Sequence, residues 1–166
     1  MDGTTVPGWL TFDVSTGVLS GTPSNNAVGV HSIVVTATDT SEATVTDSFT
    51  ITVSNTNDAP TITSTAITSA TEDSAYSYTV TTVDVDSDDT VTLVGTTVPS
   101  WLAFNASTGQ LSGTPTNEDV GSHSVVITAT DALQAIVTES FTIAVANSND
   151  APTITSSPIT SATEDS

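Results

Sequence analysis

The chain has 166 residues with 19 Asp and Glu, no Lys, no Arg and no Cys, which gives a formal net charge of -19. Without cationic side chains it cannot neutralise nucleic-acid phosphates or anionic lipid head groups, and without cysteine it has no disulfide. Disorder is not expected despite the acidity, because hydrophobic residues make up 36% of the chain and alternate with Thr and Ser in short runs.

The first part of the chain recurs further along the sequence. Trp9 matches Trp101, and 101 − 9 = 92; at this offset no gap is needed and about two-thirds of the overlapping positions are identical. A 92-residue unit is close to the ~100 residues of an immunoglobulin-like sandwich. We predict that 1–58 is the C-terminal part of a preceding repeat, 59–150 a complete repeat, and 151–166 the first strand of a following repeat.

Short strands are predicted throughout the complete repeat. Turn residues separate apolar runs at 61–68, 76–83, 90–95, 101–104, 109–112, 122–130 and 135–146. In the runs 124–130 and 140–145, apolar side chains alternate with Thr and Ser, so we expect this pair to form the centre of the core. No stretch has helical periodicity. The sequence therefore predicts an all-β fold.

Carboxylates and amides gather at a few points in chain order. The groups lie at 55–60, at Glu72 and Asp73, at 84–89, at Asp131, and at 147–152. The chain has no cationic side chain to offset these charges, so we expect an external cation to do so. Calcium takes about six to eight oxygen ligands from carboxylates, amide carbonyls and the backbone. Acidic turns at module junctions, each followed by a stiffening proline, therefore indicate Ca2+ sites.

The linkers and turns also carry recognisable motifs. These are NTNDAP and NSNDAP at the linkers, ATEDSAYSYTV, DVDSDD, VPSWLAFNASTGQLSGTP, and ITATD followed by TESFTIAV. Together they resemble the dystroglycan-type cadherin-like repeat and the Ig-like tandem repeats of large bacterial surface adhesins, over essentially the whole chain. The resemblance implies a Greek-key β-sandwich with Ca2+ held between consecutive modules.

The resemblance further implies which side chains would bind the ion at each junction. At the first linker the implied ligands are Asn57, Asp58, Asp84, Asp86 and Asp131. At the second linker they are Glu72, Asn149 and Asp150. One departure matters, because the LSGTP turn replaces the acidic motif that cadherins carry in the middle of the module. Two acidic ligands expected of a cadherin are therefore missing.

The loop at 84–89 also resembles the start of an EF-hand, with Asp84, Asp86 and Asp88 at alternate positions. That motif requires glycine where Asp89 stands and glutamate where Gly95 stands, and it requires flanking helices. The sequence therefore does not favour an EF-hand.

Aromatic and histidine residues offer two further interpretations. Trp9 and Trp101 could stack on a sugar ring, but the apolar neighbours of Trp101 favour packing in the core. His31 and His123 precede a core strand and are predicted to be loop-edge residues rather than catalytic bases. There is no G-x-S-x-G nucleophile motif. We therefore do not expect an enzyme.

The function predicted from the sequence is that of an extracellular structural and adhesive module. It would act as a calcium-rigidified spacer of a secreted or cell-surface adhesin, with neighbouring repeats of the same chain as its partners. Cell-surface glycans and homophilic contacts remain open as further partners. The alternative is a carbohydrate-binding accessory module of a secreted polysaccharide-degrading protein. No run approaches the ~20 apolar residues of a membrane span, so this segment is not expected to insert into a bilayer.

Overall fold

The computed structural model describes residues 2–86 and 89–164 and confirms the all-β prediction. Two short 3-10 turns, Asn25–Ala27 and Asn117–Asp119, interrupt the strands. The strands of the described part are β1 (Asp2–Thr5), β2 (Leu10–Asp13), β3 (Val18–Gly21), β4 (Gly29–Thr38), β5 (Thr44–Val53), β6 (Thr61–Ile62), β7 (Ser69–Thr71), β8 (Tyr76–Thr79), β9 (Thr82–Val83), β10 (Thr92–Thr97), β11 (Leu102–Asn105), β12 (Gln110–Gly113), β13 (Gly121–Thr130) and β14 (Ile136–Ala146).

The repeat is visible in the strand pairing. In the first unit, β4 pairs with β5 and β1 in one sheet, and β2 pairs with β3. In the second unit, one sheet has the order β10-β13-β14-β7 and the other has the order β11-β12-β8, with β6 and β9 as a separate pair. The long hairpins β4–β5 and β13–β14 are paired in equivalent registers, as a 92-residue period requires.

The core of the second unit lies between its two sheets. Alternation along β13 turns Val125 and Ile127 inward, and both are fully buried together with Leu111 of β12 and Ile143 of β14. Thr and Ser take the opposite positions on these strands and face outward, which is the pattern of an antiparallel sheet with one wet face. The predicted central pair of strands is therefore confirmed.

A close backbone approach explains part of the W-L…L-S-G-T-P motif. At Gly113, an added Cβ atom would lie 2.0 Å from the carbonyl oxygen of Trp101. At Gly21, the equivalent glycine of the first unit, it would lie 2.0 Å from the carbonyl oxygen of Trp9. Only glycine lets the two strands of this hairpin approach so closely.

The prediction of one strand over 61–68 is wrong. Only Thr61–Ile62 form a strand there, antiparallel to β9. The chain then crosses to the sheet that contains β10, β13 and β14. It pairs there as β7, which runs parallel to β14. The predicted strand 76–83 is likewise divided into β8 and β9. Alternation of apolar residues does not indicate where a strand changes sheets, so the sequence pattern could not reveal these breaks.

Residues 151–164 contain no strand, and Ile154 and Ile159 are exposed. The assignment of 151–166 to a following repeat, like the boundaries of the other two parts, stays a prediction. Asp165 and Ser166 lie outside the described residues.

The two tyrosines of the chain, Tyr76 and Tyr78, are buried in this core. Burial raises the pKa of Tyr76 to about 12 and also raises the pKa of Tyr78. An unfolded tyrosine ionises near pH ~10. The neutral hydroxyls therefore stabilise the fold fully below about pH 10, and this stabilisation is lost as the pH rises toward about 12.

Because the chain has no Lys, Arg or Cys, tyrosine is the only side chain expected to ionise in this alkaline range. We expect an ultraviolet titration of the native protein to show no tyrosinate near pH ~10, where the urea-unfolded protein ionises. The urea midpoint should fall between about pH 10 and pH 12. Coincident titration curves for the native and unfolded protein would contradict the buried placement of both rings.

Candidate metal centre

Strand register brings three acidic segments to one end of the second unit. Pairing of Thr61 with Val83 places the linker before β6 beside the loop that follows β9. Pairing of Thr92 with Thr130 places the end of that loop beside the turn that follows β13, which begins at Asp131. The predicted ligands of the first junction are therefore neighbours, although they are far apart in the sequence.

Hydrogen bonds join all five predicted residues of the first junction. The Asn57 amide donates to Asp131 Oδ2 (2.8 Å), and the Asp58 backbone N–H donates to Asp86 Oδ2 (2.8 Å). The Asp86 backbone N–H in turn donates to Asp84 Oδ1 (2.9 Å). The linker is thus tied to both loops of the downstream unit by these bonds.

Several oxygens at this junction are buried without a partner. They are Oδ1 of Asn57, Oδ2 of Asp84 and Oδ1 of Asp86, and the Asp86 side chain is only 8% exposed. Carboxylate oxygens of Asp84, Asp89 and Asp131 lie within 4.8 Å of one another. Burying the unpaired carboxylate oxygens of Asp84 and Asp86 is unfavourable unless a cation offsets them. The neighbouring carboxylates of Asp89 and Asp131 add to the negative charge around Asp84. This donor set, which contains only oxygen, fits a hard divalent cation such as Ca2+.

The charge state of Asp131 is set by its neighbours. The hydrogen bond from the Asn57 amide lowers the pKa of Asp131, and the Ala135 backbone N–H lowers it further against the opposing effect of burial. Asp131 therefore stays ionised in its buried position, which is the state that metal binding would require.

A second acidic group lies at the opposite end of the unit, where β7 ends beside β14. Oxygens of Glu72, Asp73 and Asp150 lie within 4.8 Å of one another. The Glu72 side chain is 1% exposed, and neither of its carboxylate oxygens has a partner. The Glu72 backbone N–H donates to the Ala146 carbonyl (3.0 Å), which fixes this side chain next to the outgoing linker.

One predicted member of the second junction takes a different position. Asn149 is exposed, and its amide donates to the Asp150 carbonyl (3.4 Å) rather than to a side chain. The structure therefore brings Glu72 and Asp150 together, while the described contacts leave Asn149 outside the acidic group.

Four residues in these groups were not predicted as site residues. Asp89 belongs to the acidic group predicted at 84–89 but not to the predicted ligands, and its Oδ1 accepts from the Ala132 backbone N–H (3.0 Å), which places it at the first junction. Asp73 adopts a positive φ of 59° that no local pattern indicates. The other two are Asn25 and Asn117, which donate to Asp58 and Asp150 respectively. Their recurrence at the 92-residue offset was the available signal. Asp88, the third acid of the EF-hand-like string, lies outside the described residues.

The Trp and His residues form a packing cluster. Trp101 contacts Tyr76 and His123 edge to face, with ring centroids 5.7 and 5.9 Å apart, and packs against the core as predicted. His123 Nε2 donates to the Asp119 carbonyl (2.6 Å). The histidines are not loop-edge residues as predicted, because His31 lies within β4 and His123 lies within β13.

The sequence profile of the putative Ig domain family matches residues 1–54 and 59–146. The chain belongs to the putative Ig domain family. No curated protein matches it. This Ig domain chain is similar in structure to extracellular cadherin domains 1–5 of protocadherin gamma B2, with a TM-score of 0.58 and 20% identity over 85% of this chain and 31% of that one. It is similar also to domains 1–4 of protocadherin gamma B7, with a TM-score of 0.54 and 16% identity over 85% of this chain and 39% of that one.

A third solved structure is an endo-fucoidan hydrolase of glycoside hydrolase family 107, with a TM-score of 0.49 and 26% identity over 89% of this chain and 23% of that one. The Ig domain chain thus spans less than half the length of each of these three structures. The protocadherin likeness shows an Ig-like, cadherin-like sandwich fold. None of the described residues forms a helix that is both long and apolar enough to cross a membrane.

Proposed function

We propose that this chain is a segment of an extracellular rod of cadherin-like repeats in which Ca2+ at each junction fixes the arrangement of consecutive units. The observation that carries the proposal is the convergence of the linker residues Asn57 and Asp58 with the buried carboxylates of Asp86 and Asp131 and the half-buried carboxylate of Asp84. The chain has no cationic side chain to offset those charges. The module itself performs no catalysis and serves as a spacer of a surface adhesin.

The mechanism is linkage between ion binding and alignment. Ligands at the first junction come from the linker and from two loops of the downstream unit, so they converge only while the linker lies against that unit. An ion that binds the converged arrangement more tightly than any other shifts the population toward it. Without the ion, the clustered carboxylates repel one another across the linker and favour other arrangements.

An extracellular location fits this mechanism, because the cytosol offers far less free calcium than the ~10⁻⁴–10⁻³ M at which extracellular modules bind it. The family match and the protocadherin likeness support a secreted or cell-surface location. Neighbouring repeats of the same chain are the proposed partners. Attachment to a surface glycan or to a second copy would belong to other parts of an adhesin.

The alternative, a carbohydrate-binding accessory module, has less support from the aromatic residues. A sugar-binding platform needs an exposed aromatic face, whereas Trp101 packs edge to face against Tyr76 and His123 at the core. The same contact forms between Trp9 and His31 in the first unit (5.6 Å).

Small-angle X-ray scattering of the chain in CaCl2 and in EGTA tests the proposal. We expect a larger radius of gyration in CaCl2 and a narrower range of end-to-end distances, because the bound ion selects the aligned arrangement. An Asp58→Ala variant should give the EGTA-like profile in both buffers, since it lacks a linker carboxylate. The control is Asp47→Ala, the same change at an exposed aspartate of β5, and it should behave as the parent chain. Superimposable parent profiles in the two buffers would refute the stiffening role.

A further inference from the structure

An asparagine of each upstream unit touches the acidic residue of the following linker. Asn25 lies in the 3-10 turn that follows β3, and its Nδ2 donates to Asp58 Oδ2 (2.6 Å). Asn117 lies in the equivalent turn of the second unit and makes the same contact with Asp150. Both turns follow the G-T-P segment of their unit, so the contact recurs at the 92-residue offset.

Asn25 faces the same space as the ligands of the first junction. A cleft of about 300 Å³ is lined by Asn25 together with Asn57, Asp86 and Asp89. The Asp86 side chain is more than nine-tenths buried, and its unpaired Oδ1 atom is an independent sign that a ligand belongs in this cleft. The cleft thus lies between Asn25 and Val28 of the upstream unit, the linker and the downstream unit.

An asparagine amide at the junction can serve either as a hydrogen-bond donor or as a metal ligand. Its nitrogen end donates two hydrogen bonds and its oxygen end accepts. In this structure the nitrogen ends of Asn25 and Asn57 lie on the carboxylates of Asp58 and Asp131, where they partly offset the negative charge. A rotation of the side-chain amide by about 180° exchanges its nitrogen and oxygen, and the oxygen can then bind Ca2+. An amide oxygen is a normal Ca2+ ligand and adds no further negative charge.

We propose that the amide oxygen of Asn25 is a ligand that the upstream unit contributes to the cation at the first junction, and that Asn117 has this role at the second, alongside Glu72. This inference rests on the proposed function, because it requires Ca2+ to bind there. It assigns Asn25 two alternating contacts. The amide nitrogen contacts Asp58 in this structure, and the amide oxygen holds the ion after the amide turns over. The upstream unit is then coupled directly to the ion, and not only through the linker.

Calorimetric titration of CaCl2 into the full chain tests the inference with three variants. Asn25→Ala removes both ends of the amide and should weaken binding at the first junction by roughly 10-fold, the lower end of what losing a supporting metal-site residue costs. Asn25→Asp keeps an oxygen but loses the nitrogen donor, so it should bind Ca2+ at least as tightly as the parent chain. The matched control is Asn26→Ala, at an exposed neighbour in the same turn, and its affinity should match that of the parent chain. Far-ultraviolet circular dichroism in EGTA checks that each variant is folded.

The outcomes separate this inference from the proposed function. A parent chain that binds no Ca2+ overturns both. A parent chain that binds Ca2+ while Asn25→Ala binds equally well overturns only the role of Asn25. If Asn25→Asp is as weak as Asn25→Ala, the nitrogen end alone matters, and the amide oxygen is not a ligand. Weakened binding in Asn25→Ala with retained binding in Asn25→Asp supports the inference.

Discussion

Replacing Glu72 with glutamine is expected to stabilise the protein in EGTA and to remove most of the additional stability that Ca2+ confers. The Glu72 carboxylate is 1% exposed and neither oxygen has a partner, so without a cation it is an uncompensated buried charge. Such a charge costs several kcal/mol, and a neutral amide of the same size should recover about 2 kcal/mol of the free energy of unfolding. A ligand at ~100 times its Kd adds about 2.7 kcal/mol to the parent chain, and the variant should lose most of this.

Urea denaturation of both proteins in EGTA and in CaCl2 measures the two effects. The first unit supplies the control, Glu42→Gln. Glu42 is exposed with φ 64°, and its counterpart at the repeat offset is already Gln134, with φ 72°. This control should change the free energy of unfolding by less than about 0.5 kcal/mol in either buffer. A Glu72→Gln protein that is less stable than the parent chain in EGTA would show that the carboxylate is compensated by something other than a metal.

Replacing Leu111 with alanine is expected to lower the free energy of unfolding of the second unit by about 3 kcal/mol. The Leu111 side chain is fully buried, and its position in β12 lies opposite Tyr78 on one side and Phe104 on the other. The surrounding strands are held by their ladders and can collapse only partly into the space left behind. Since a domain of this size is stable by about 5–15 kcal/mol, the loss is a large fraction of the total.

Urea denaturation in EGTA measures this loss without a contribution from cation binding. Leu133→Ala is the matched control, because the Leu133 side chain is 70% exposed and the same atoms are removed. It should change stability by less than about 0.5 kcal/mol. Equal losses in the two variants would mean that the two sheets do not pack through Leu111.

The sequence predicted best those strands in which apolar and polar residues alternate along the whole strand. The runs 122–130 and 135–146 are found as β13 and β14 within one residue at each end, because alternation and flanking turn residues agree there. The runs 101–104 and 109–112 are found shifted by one residue as β11 and β12. The failure at 61–68 has a tertiary cause, since the partners of β6 and β7 lie in different sheets and are distant in sequence.

The sequence predicted that acidic segments meet at each junction, but it did not predict every side chain that lies there. Asn57, Asp58, Asp84, Asp86 and Asp131 come together because their motifs adjoin strand ends that the register aligns. Asp89 depends on the path of an irregular loop, and Asp73 depends on a left-handed backbone conformation, neither of which follows from periodicity. Asn25 and Asn117 are neutral, so a search for acidic residues does not find them. The one signal in the sequence is that asparagine occurs at both positions, 92 residues apart.

The parallel pairing of β7 with β14 determines how the unit responds when its two ends are pulled apart. β7 lies near the start of the unit and β14 at its end, so the pull slides one strand along the other. Bonds such as Ala144 N–H to the Thr68 carbonyl and Glu72 N–H to the Ala146 carbonyl then carry the load together instead of opening one after another. Glu72 also belongs to the acidic group at the outgoing linker. The pairing that would resist tension and the acidic group proposed to receive an ion therefore meet at Glu72.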